Sequence, residues 1–433
     1  MKYGKTIIEK MRNKILNDKI LKIARKDPKN FTRKRKLTVQ DLILYLLNKK
    51  GLTTKMELYQ FSKLCKKEEV SSPALLKQRE KMNPEVFKYL NQASMKDFYE
   101  NHVKEVKTYK GYVIVGIDGS SWEVPNTKEA KEYSKSPINQ CPRVKVSNCF
   151  DVLNCYIIDT QIEPDNYGEI ALAKRHLIET KELVGDFPLI RVMDRGYNSL
   201  SDMYHSNKTN EKFIVRLNHR RLKKEYEAMK SDDEWVEIEN LYSRIRYYKT
   251  NDNELYNYYQ SGNKVKVRFV KLPLETGEIE ILVTNLSDNE FSKEELAELY
   301  QLRWGIETNY HYLKETMKAT NITSGKETLI KQEIYSQFLV FNWLQAIQSA
   351  VVDEIDQNQY KHKMKININM AAGFIKYFLI YIMLEDDLTL RGHLFDELNQ
   401  SILNQIVPIR DNRKYERTGL IRNKHHINKR KAF

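Results

Sequence analysis

Cysteine is scarce in this chain, with only Cys65, Cys141, Cys149 and Cys155 among 433 residues. No two of them have the close spacing of zinc ligands, and no histidine stands at a matching distance from them. The spacing argues against a zinc site and indicates reduced thiols. We therefore expect a cytoplasmic protein.

Long apolar runs are also missing. Residues 1–14 are charged throughout and lack the apolar stretch of a signal peptide. The most apolar late stretch, residues 370–384, is too short for a bilayer and contains a lysine, so it predicts a buried helix. A phosphate-binding loop is not expected either, because Thr320 stands where a loop ending in Gly325-Lys326 needs its first glycine.

Positive charge, in contrast, is abundant. The formal net charge of +15 makes nucleic acid the expected partner, because Lys and Arg side chains displace counterions from phosphates. Residues 1–36 are rich in Lys and Arg and are expected to form a loosely ordered arm or a short basic helix. From Arg410 onward nine Lys and Arg stand against two acids, and this tail is expected to hold DNA by charge rather than by sequence.

Residues 38–104 have a helical pattern, with helix starts predicted at Ser72-Pro73 and Asn83-Pro84. This pattern predicts a small helical domain. Four of its polar residues are candidates for a surface that faces DNA, or for ordinary solvated helix surface: Lys77, Gln78, Arg79 and Lys81.

The pattern changes at Tyr112, where an apolar run predicts a buried strand that ends at Asp118-Gly119. The elements predicted next are strands over 144–150 and 155–162, a helix over 167–183 and a strand over 188–193. Three strands, a helix, a strand and a helix match the α/β fold of ribonuclease-H-like proteins. In that fold the first and fourth strands lie side by side.

Residues 218–288 exceed what this fold requires and alternate like strands, as in Lys264 to Lys271, so they predict a β-rich insertion. Two helices are predicted after it, over 328–355 and 368–385. The expected domains are a basic helical DNA-binding domain (1–105), a catalytic core (106–217 and 289–325), the insertion (218–288) and a helical region with the basic tail (326–433).

Asp118 and Asp194 each follow a predicted buried strand, so their carboxylates are expected to converge. A third acid, Glu307, is surrounded by donors. Hard oxygen ligands of this kind suit Mg²⁺, and two Mg²⁺ ions can activate the attacking oxygen and stabilise the leaving one at phosphorus. The three acids therefore predict metal-dependent phosphodiester chemistry.

A signature surrounds Glu307, because Tyr300, Arg303, Glu307 and Lys314 are separated by two, three and six residues. At about 100° per residue, a regular helix would place all four side chains on one face. A carboxylate for a metal ion would then lie beside two cations and a phenol that can contact phosphate oxygens.

The sequence resembles the DDE transposases of bacterial insertion sequences, of the IS-four type. The resemblance is carried by IDGS at 117–120, MDRGY at 193–197, the Tyr-Arg-Glu-Lys signature and the stretch SSPALLKQREKMNPEVFKYL at 71–90. It implies a nucleoid-associated enzyme that binds the ends of an insertion sequence and performs cut-and-paste transposition. It also implies a homodimer in the synaptic complex with double-stranded DNA.

The resemblance further implies roles for individual residues. Asp118, Asp194 and Glu307 would bind two Mg²⁺ ions, which Mn²⁺ can replace, and Tyr300, Arg303 and Lys314 would grip phosphates near the cleaved end. A hairpin intermediate would place a flipped base on an aromatic ring. Trp304 and Trp235 are candidates for that ring, and core packing is the alternative for Trp304.

Two other functions remain open from the sequence. One is a nuclease or resolvase that uses the same fold without strand transfer. The other is a DNA-binding protein descended from a transposase. The presence of all three acids favours the enzyme.

Overall fold

The computed structural model describes residues 2–33, 35–136, 140–218, 220–239, 242–274 and 277–409. The predicted basic tail from Arg410 onward lies outside these residues. No helix in the described ranges is long and apolar enough to cross a membrane.

Strands and helices alternate through the centre of the chain, with helices at both ends. The strands are β1 (Val113–Glu123), β2 (Arg143–Asp151), β3 (Tyr156–Pro164), β4 (Leu189–Met193), β5 (Lys212–Arg216), β6 (Asp233–Ile238), β7 (Val265–Pro273), β8 (Ile279–Thr284), β9 (Met364–Ile366) and β10 (Ile406–Pro408). The first nine helices are α1 (Tyr3–Leu16), α2 (Ile20–Ala24), α3 (Val39–Leu47), α4 (Thr54–Leu64), α5 (Ser72–Arg79), α6 (Glu85–Asn101), α7 (Lys128–Ser134), α8 (Glu169–Val184) and α9 (Leu200–Thr209). They are followed by α10 (Lys223–Glu227), α11 (Tyr242–Asn251), α12 (Asn253–Gln260), α13 (Lys293–Gln301), α14 (Trp304–His311), α15 (Glu327–Val352), α16 (Ile368–Leu384) and α17 (Leu388–Leu403).

In the described part of the chain, eight strands form one sheet in the order β3-β2-β1-β4-β5-β8-β7-β6. Strands β1, β2 and β3 are antiparallel neighbours, and β4 and β5 run parallel to β1. The apolar runs in β1 and β4 are buried because helices cover both faces of the sheet. This arrangement confirms the predicted ribonuclease-H-like α/β fold and the adjacency of the first and fourth strands.

One strand boundary differs from the prediction. Strand β1 does not end at Asp118 but continues to Glu123, paired with β2 along its whole second half. Its pairing with β4 ends earlier, at Ile117 and Met193. The glycine after Asp118 therefore does not break the strand, because the backbone hydrogen bonds to β2 hold it extended.

The region predicted as an insertion extends the central sheet. Strand β8 pairs antiparallel with β5, and β7 and β6 follow outward. Residues 242–260 of this region, which are rich in tyrosine, form helices α11 and α12 and not the strands that a β-rich insertion would have. Their aromatic spacing does not alternate as a strand would, which accounts for the difference.

The first residues do not form a loose arm. Helix α1 packs against α15, and its residues Ile7, Ile8 and Met11 have no exposed surface. They recur at helical spacing beneath the lysines, so burial of this stripe stabilises an ordered helix. Of the two alternatives predicted for residues 1–36, the loose arm is wrong and the basic helix is borne out, over Tyr3–Leu16 and again over Ile20–Ala24.

Arg79, a candidate for facing DNA, is also buried. Its Nη2 lies 2.9 Å from Oε1 of Glu333 on α15, and Nζ of Lys49 lies 2.7 Å from the other carboxylate oxygen. These ion pairs fasten the helical N-terminal region to α15. Arg79 is therefore part of the protein interior, whereas Lys77 remains exposed.

Candidate active site

The two aspartates start from adjacent positions on neighbouring strands. Ile117 and Met193 are the last paired residues of β1 and β4, and Asp118 and Asp194 follow them directly. Parallel neighbours in a sheet lie about 5 Å apart. Asp194 then leaves the sheet and begins a short 3₁₀ turn over Arg195–Tyr197.

Helix α14 brings Glu307 to the same place. It packs on β1 at Gly116, where a Cβ atom would lie 3.7 Å from that of Ile306. The Tyr310 hydroxyl shares its one proton between the carbonyl oxygens of Asp118, at 2.8 Å, and Val146, at 3.0 Å. These contacts fix α14 over the strand that carries Asp118.

The signature does not form the single regular helix that its spacing suggests. Helix α13 ends at Gln301, α14 begins at Trp304, and a π-helical segment covers Tyr312–Thr316. Each irregularity changes the angle between successive side chains. Lys314 is nevertheless directed to the site, because its Nζ donates to Oγ of Ser120, two residues after Asp118, at 2.7 Å.

Arg303 forms an ion pair with Glu307 and is hardly exposed to solvent. Its Nη1 donates to Oε1 of Glu307 at 2.8 Å, and its guanidinium lies against the rings of Tyr300 and Trp304. Burial opposes the charge of Arg303, but Tyr300, Glu307 and Asp194 outweigh it and raise its pKa. The Arg303 side chain is 5% exposed, whereas that of Glu307 is 42% exposed.

The two aromatic members of this region differ in exposure. Tyr300 is 3% exposed, its hydroxyl has no hydrogen-bond partner among the described residues, and burial raises its pKa. Trp304 is 44% exposed, so it is not a core residue. Its exposed ring lies against the Arg303 guanidinium, and an aromatic surface of this kind can stack on a base.

Trp235 is not brought to this site. It lies on β6, five strands from β1 in the sheet, and a spacing of about 4.8 Å per strand separates the two strands by about 24 Å. Its indole Nε1 donates to Asp288, and Lys266 lies over its ring.

The pKa of Asp118 reflects the burial and the charges around the site. Burial raises its pKa to about 6, and the negative charges of Glu169 and Glu307 act in the same direction. The backbone N–H of Gly119 and the charge of Arg303 oppose this rise. Burial is therefore the main reason that the pKa of Asp118 is raised, and the two neighbouring carboxylates add to it.

Glu169 was not identified from the sequence. It is the first residue of α8, and its Oε1 lies 3.1 Å from Nζ of Lys145 on β2. An acid in the first turn of a helix is an ordinary stabilising feature. The only sequence signal was that α8 directly follows the third strand of the fold.

The donor set fits a divalent cation. Asp118, Asp194 and Glu307 offer hard carboxylate oxygens, and a bound cation would stabilise the charged form of Asp118 against the burial, and the smaller repulsion from Glu169 and Glu307, that raise its pKa. Within the described residues, no three acidic, histidine or cysteine side chains close around one point. The hydrogen bond from Arg303 holds the Glu307 carboxylate in its present position.

The chain was also compared with known proteins. It is 25% identical over 244 residues to the transposase InsG for insertion sequence element IS4 of Escherichia coli (strain K12), a match that covers 54% of this chain and 51% of that protein. The match thus spans about half the length of this relative. Among solved structures, the piggyBac transposase synaptic complex with hairpin DNA is similar with a TM-score of 0.42 at 10% identity, over 93% of this chain and 87% of that one.

The family comparison covers the site itself. Residues 109–343, just over half of the chain, match the model of the transposase DDE domain. This range contains Asp118, Asp194, Glu307 and the whole signature around Glu307. The chain belongs to the DDE transposase family.

Proposed function

We propose that this protein is a transposase that binds the ends of an insertion sequence and catalyses metal-dependent DNA cleavage and strand transfer. The observation that carries the proposal is the placement of Asp118 and Asp194 at the end of the β1–β4 pairing, beneath the helix that bears Glu307. Family membership supports the same chemistry.

Asp118, Asp194 and Glu307 are the proposed metal ligands. DDE transposases act with divalent metal ions, and we propose two Mg²⁺ ions here, with Mn²⁺ as a substitute. Bound there, the ions would supply Lewis-acid stabilisation of the attacking and leaving oxygens of the phosphodiester. The chain contributes the rigid β1–β4 edge and the fixed position of α14.

Arg303 is proposed to have two partners in turn. In the free protein its guanidinium holds Glu307. Once Glu307 binds a metal ion, the Arg303 guanidinium can donate hydrogen bonds to a phosphate oxygen near the cleaved end. Its planar, forked geometry suits such an oxygen. The Tyr300 hydroxyl is buried and has no hydrogen-bond partner within the described ranges, so we propose that it contacts the same phosphate once Arg303 has moved.

Lys314 and Trp304 complete the proposed DNA contacts at the cut. Lys314 is held at the strand of Asp118 through Ser120, where an ammonium can contact a phosphate as a point charge. Trp304 is the proposed platform for a flipped base if cleavage proceeds through a hairpin, because its ring is exposed beside Arg303.

We also propose a role for each of the larger regions that the sequence predicts. Residues 1–105 would contact double-stranded DNA, residues 106–217 and 289–325 would catalyse, and residues 218–288 and 326–433 would support the DNA path. Two subunits would bridge the two ends. The net charge of +15 supports a nucleic-acid partner.

A cleavage assay tests the proposal. Labelled duplexes that cover the DNA on either side of the coding sequence would be incubated with the protein and Mg²⁺, and nicks, hairpins and joined products would be resolved on a denaturing gel. Scrambled duplexes and an Asp118→Asn variant serve as controls. We expect cleaved and joined products only with the wild-type protein and the natural ends.

The same gel separates the alternatives. Cleavage without joined products would indicate a nuclease without strand transfer. Specific binding of the ends, with no cleavage in the presence of any divalent ion, would indicate a DNA-binding protein derived from a transposase. That result would overturn the proposed enzymatic function.

A further inference from the structure

A two-stranded sheet lies outside the central sheet, near the end of the described chain. Strands β9 and β10 pair in antiparallel register, and the backbone N–H of Ile409 extends the pairing by donating to the carbonyl oxygen of Lys363 at 2.8 Å. We name residues 363–366 and 406–409 the β9–β10 ribbon. Ile366 is 5% exposed and packs in the core, so the ribbon has a fixed position on the protein.

The outer face of the β9–β10 ribbon is basic. Lys363 and Lys365 are two residues apart on one strand, so their side chains point to the same face, opposite to that of the buried Ile366. Both lysines are exposed, and neither ammonium group has an acidic partner or a hydrogen bond among the described residues. Lys361 and His362, just before them, are exposed as well. These cations remain available to an anionic partner.

More positive charge follows directly in the sequence. The chain leaves β10 at Pro408 and passes Ile409, whose backbone is bonded to Lys363. It then continues with residues 410–433, which hold nine Lys and Arg against two acids. The basic tail therefore begins beside the exposed lysines of the ribbon, and the two sets of cations start from one place on the protein.

The ribbon is also linked to the helical segment that carries Lys314. Oγ1 of Thr316 donates to Oδ1 of Asn369 at 2.8 Å, and the Tyr312 hydroxyl donates to the carbonyl oxygen of Ile368 at 3.4 Å. Tyr312 and Thr316 are the first and last residues of the π-helical segment that contains Lys314. The start of α16, which directly follows β9, therefore packs beside the candidate active site.

A DNA duplex that reaches Lys314 would offer phosphates to the ribbon. Lys365 is three residues from Ile368, a span of at most roughly 11 Å. Duplex DNA carries one phosphate charge per about 1.7 Å of its axis, so several phosphates fall within such a span. Lysine binds a phosphate as a point charge, which adds affinity and positions the duplex without reading its bases.

We propose that the exposed face of the β9–β10 ribbon is a DNA-binding surface whose partner is the phosphate backbone of a duplex. The inference rests on the proposed function, because it requires DNA in the candidate active site. Lys363 and Lys365 bind phosphates beyond the position of Lys314, and the tail that begins beside them adds to the same contact. An acidic protein surface would also suit two lysines, but the contact with the Lys314 segment favours DNA.

The salt dependence of DNA binding by the full chain tests this surface. Lys363→Gln/Lys365→Gln removes both charges, and the slope of log affinity against log salt should fall by about 0.9 for each lost phosphate contact, or about 1.8 for the pair. We expect affinity at physiological salt to fall about 10-fold for an end duplex and for a random duplex of equal length. Fluorescence anisotropy measures both quantities. Lys363→Arg/Lys365→Arg keeps the charges and should retain the wild-type slope.

Lys104→Gln/Lys107→Gln is the matched control, because it removes the same charge from two exposed lysines. Lys107 lies at the turn between β2 and β3, where Asn154 hydrogen-bonds to both of its backbone groups. The control should keep the wild-type slope. An equal fall in slope in the control and the ribbon variant would mean that net charge matters and the ribbon does not, which would overturn the proposal.

The same titrations distinguish failure of this inference from failure of the proposed function. If the wild type binds and cleaves the ends but Lys363→Gln/Lys365→Gln has an unchanged slope, the ribbon alone is overturned and its lysines are left to a partner other than DNA. A slope that falls with the end duplex but not with the random duplex would overturn contact through the phosphate backbone. Absence of DNA binding by the wild type would overturn the proposed function and the ribbon with it.

Discussion

Arg303 and Glu307 form a hydrogen bond of 2.8 Å one helical turn apart, in which the guanidinium is nearly buried and the carboxylate is not. The acid of the signature is therefore neutralised on one side in the free protein and still accessible to a second cation. This relationship makes Arg303 a residue that positions Glu307 as well as a candidate phosphate ligand.

Arg303→Lys should reduce cleavage of labelled ends although it keeps the positive charge. Lysine cannot present the planar fork that reaches both Glu307 and a phosphate. We expect a loss of about 10- to 100-fold in the cleavage rate, as for other residues that orient a metal ligand. Binding of the ends, measured by gel shift, should change little. A variant that cleaves at the wild-type rate would show that the guanidinium geometry is not needed.

Alanine substitution at Asp118, Asp194 or Glu307 should each lower cleavage by at least about 100-fold while end binding persists. Metal ligands act on the reacting phosphate, whereas DNA binding is distributed over many cations. Asp186→Ala is the matched control, because Asp186 is an exposed acid in the loop before β4. Normal cleavage by any of the three variants would remove that residue from the proposed metal site.

Trp304→Ala should impair steps after the first nick and leave the fold stable. The ring is 44% exposed, so we expect a loss of no more than about 1 kcal/mol, part of it from the interaction with Arg303. Trp343→Ala, at a fully buried position on α15, should cost about 3–5 kcal/mol in the same urea titrations. Unchanged yields of hairpin and joined products in Trp304→Ala would exclude the base-stacking role.

The buried acid Glu333 should make stability depend on acid pH. Burial opposes its charge, but Lys49 and Arg79 outweigh burial and lower its pKa to about 2. A carboxyl whose pKa is lower in the folded than in the unfolded protein stabilises the fold above its unfolded pKa, which is about 4.3. This contribution should be lost as the pH falls from about 4.3 towards 2. Urea unfolding at a series of pH values measures it.

Glu333→Gln provides the variant for that experiment. It leaves two buried cations without their carboxylate, and we expect a loss of about 3–5 kcal/mol at neutral pH with a shallower acid dependence. Glu327→Gln, which removes a surface pair with Lys331, should change stability by less than about 1 kcal/mol. Equal acid dependence in the wild type and Glu333→Gln would assign the effect to other carboxylates.

Removal of the basic tail should weaken DNA binding without loss of preference for the ends. A chain cut after Ile409 keeps β10 and the hydrogen bond from the Ile409 backbone to Lys363. Each phosphate that the shortened chain no longer neutralises should reduce the slope of log affinity against log salt by about 0.9. Fluorescence anisotropy at several salt concentrations gives the slope. An unchanged slope would show that the tail does not bind DNA.

The sequence predicted the centre of the fold because short apolar runs such as Val113 to Ile117 have few alternatives to a buried strand. It also predicted that Asp118 and Asp194 become neighbours, which the register of β1 and β4 bears out. It did not predict how far β1 continues beyond Asp118, because pairing with β2 is a tertiary effect that local residues do not encode.

Three further features depended on partners distant in the sequence. Arg79 can be buried because it forms an ion pair with Glu333, which lies more than 250 residues further along the chain. The break in the signature at Arg303 lies where α13, which packs against β4, β5 and β8, gives way to α14, which packs on β1. The Glu169 carboxylate lies beside Gly119 and Gly196 only because the fold brings these segments together.

The twist of the eight-stranded sheet determines the angle between β1 and β6. Strands rotate by about 20–25° from one to the next, so the five steps from β1 to β6 amount to roughly 100–125°. A twist of this size would turn the edge strand β6 almost crosswise to the strand that carries Asp118. Duplex DNA is straight over the width of this protein, since it bends appreciably only over about 150 base pairs. A duplex that ran along β1 would therefore cross β6 at a steep angle instead of running along it.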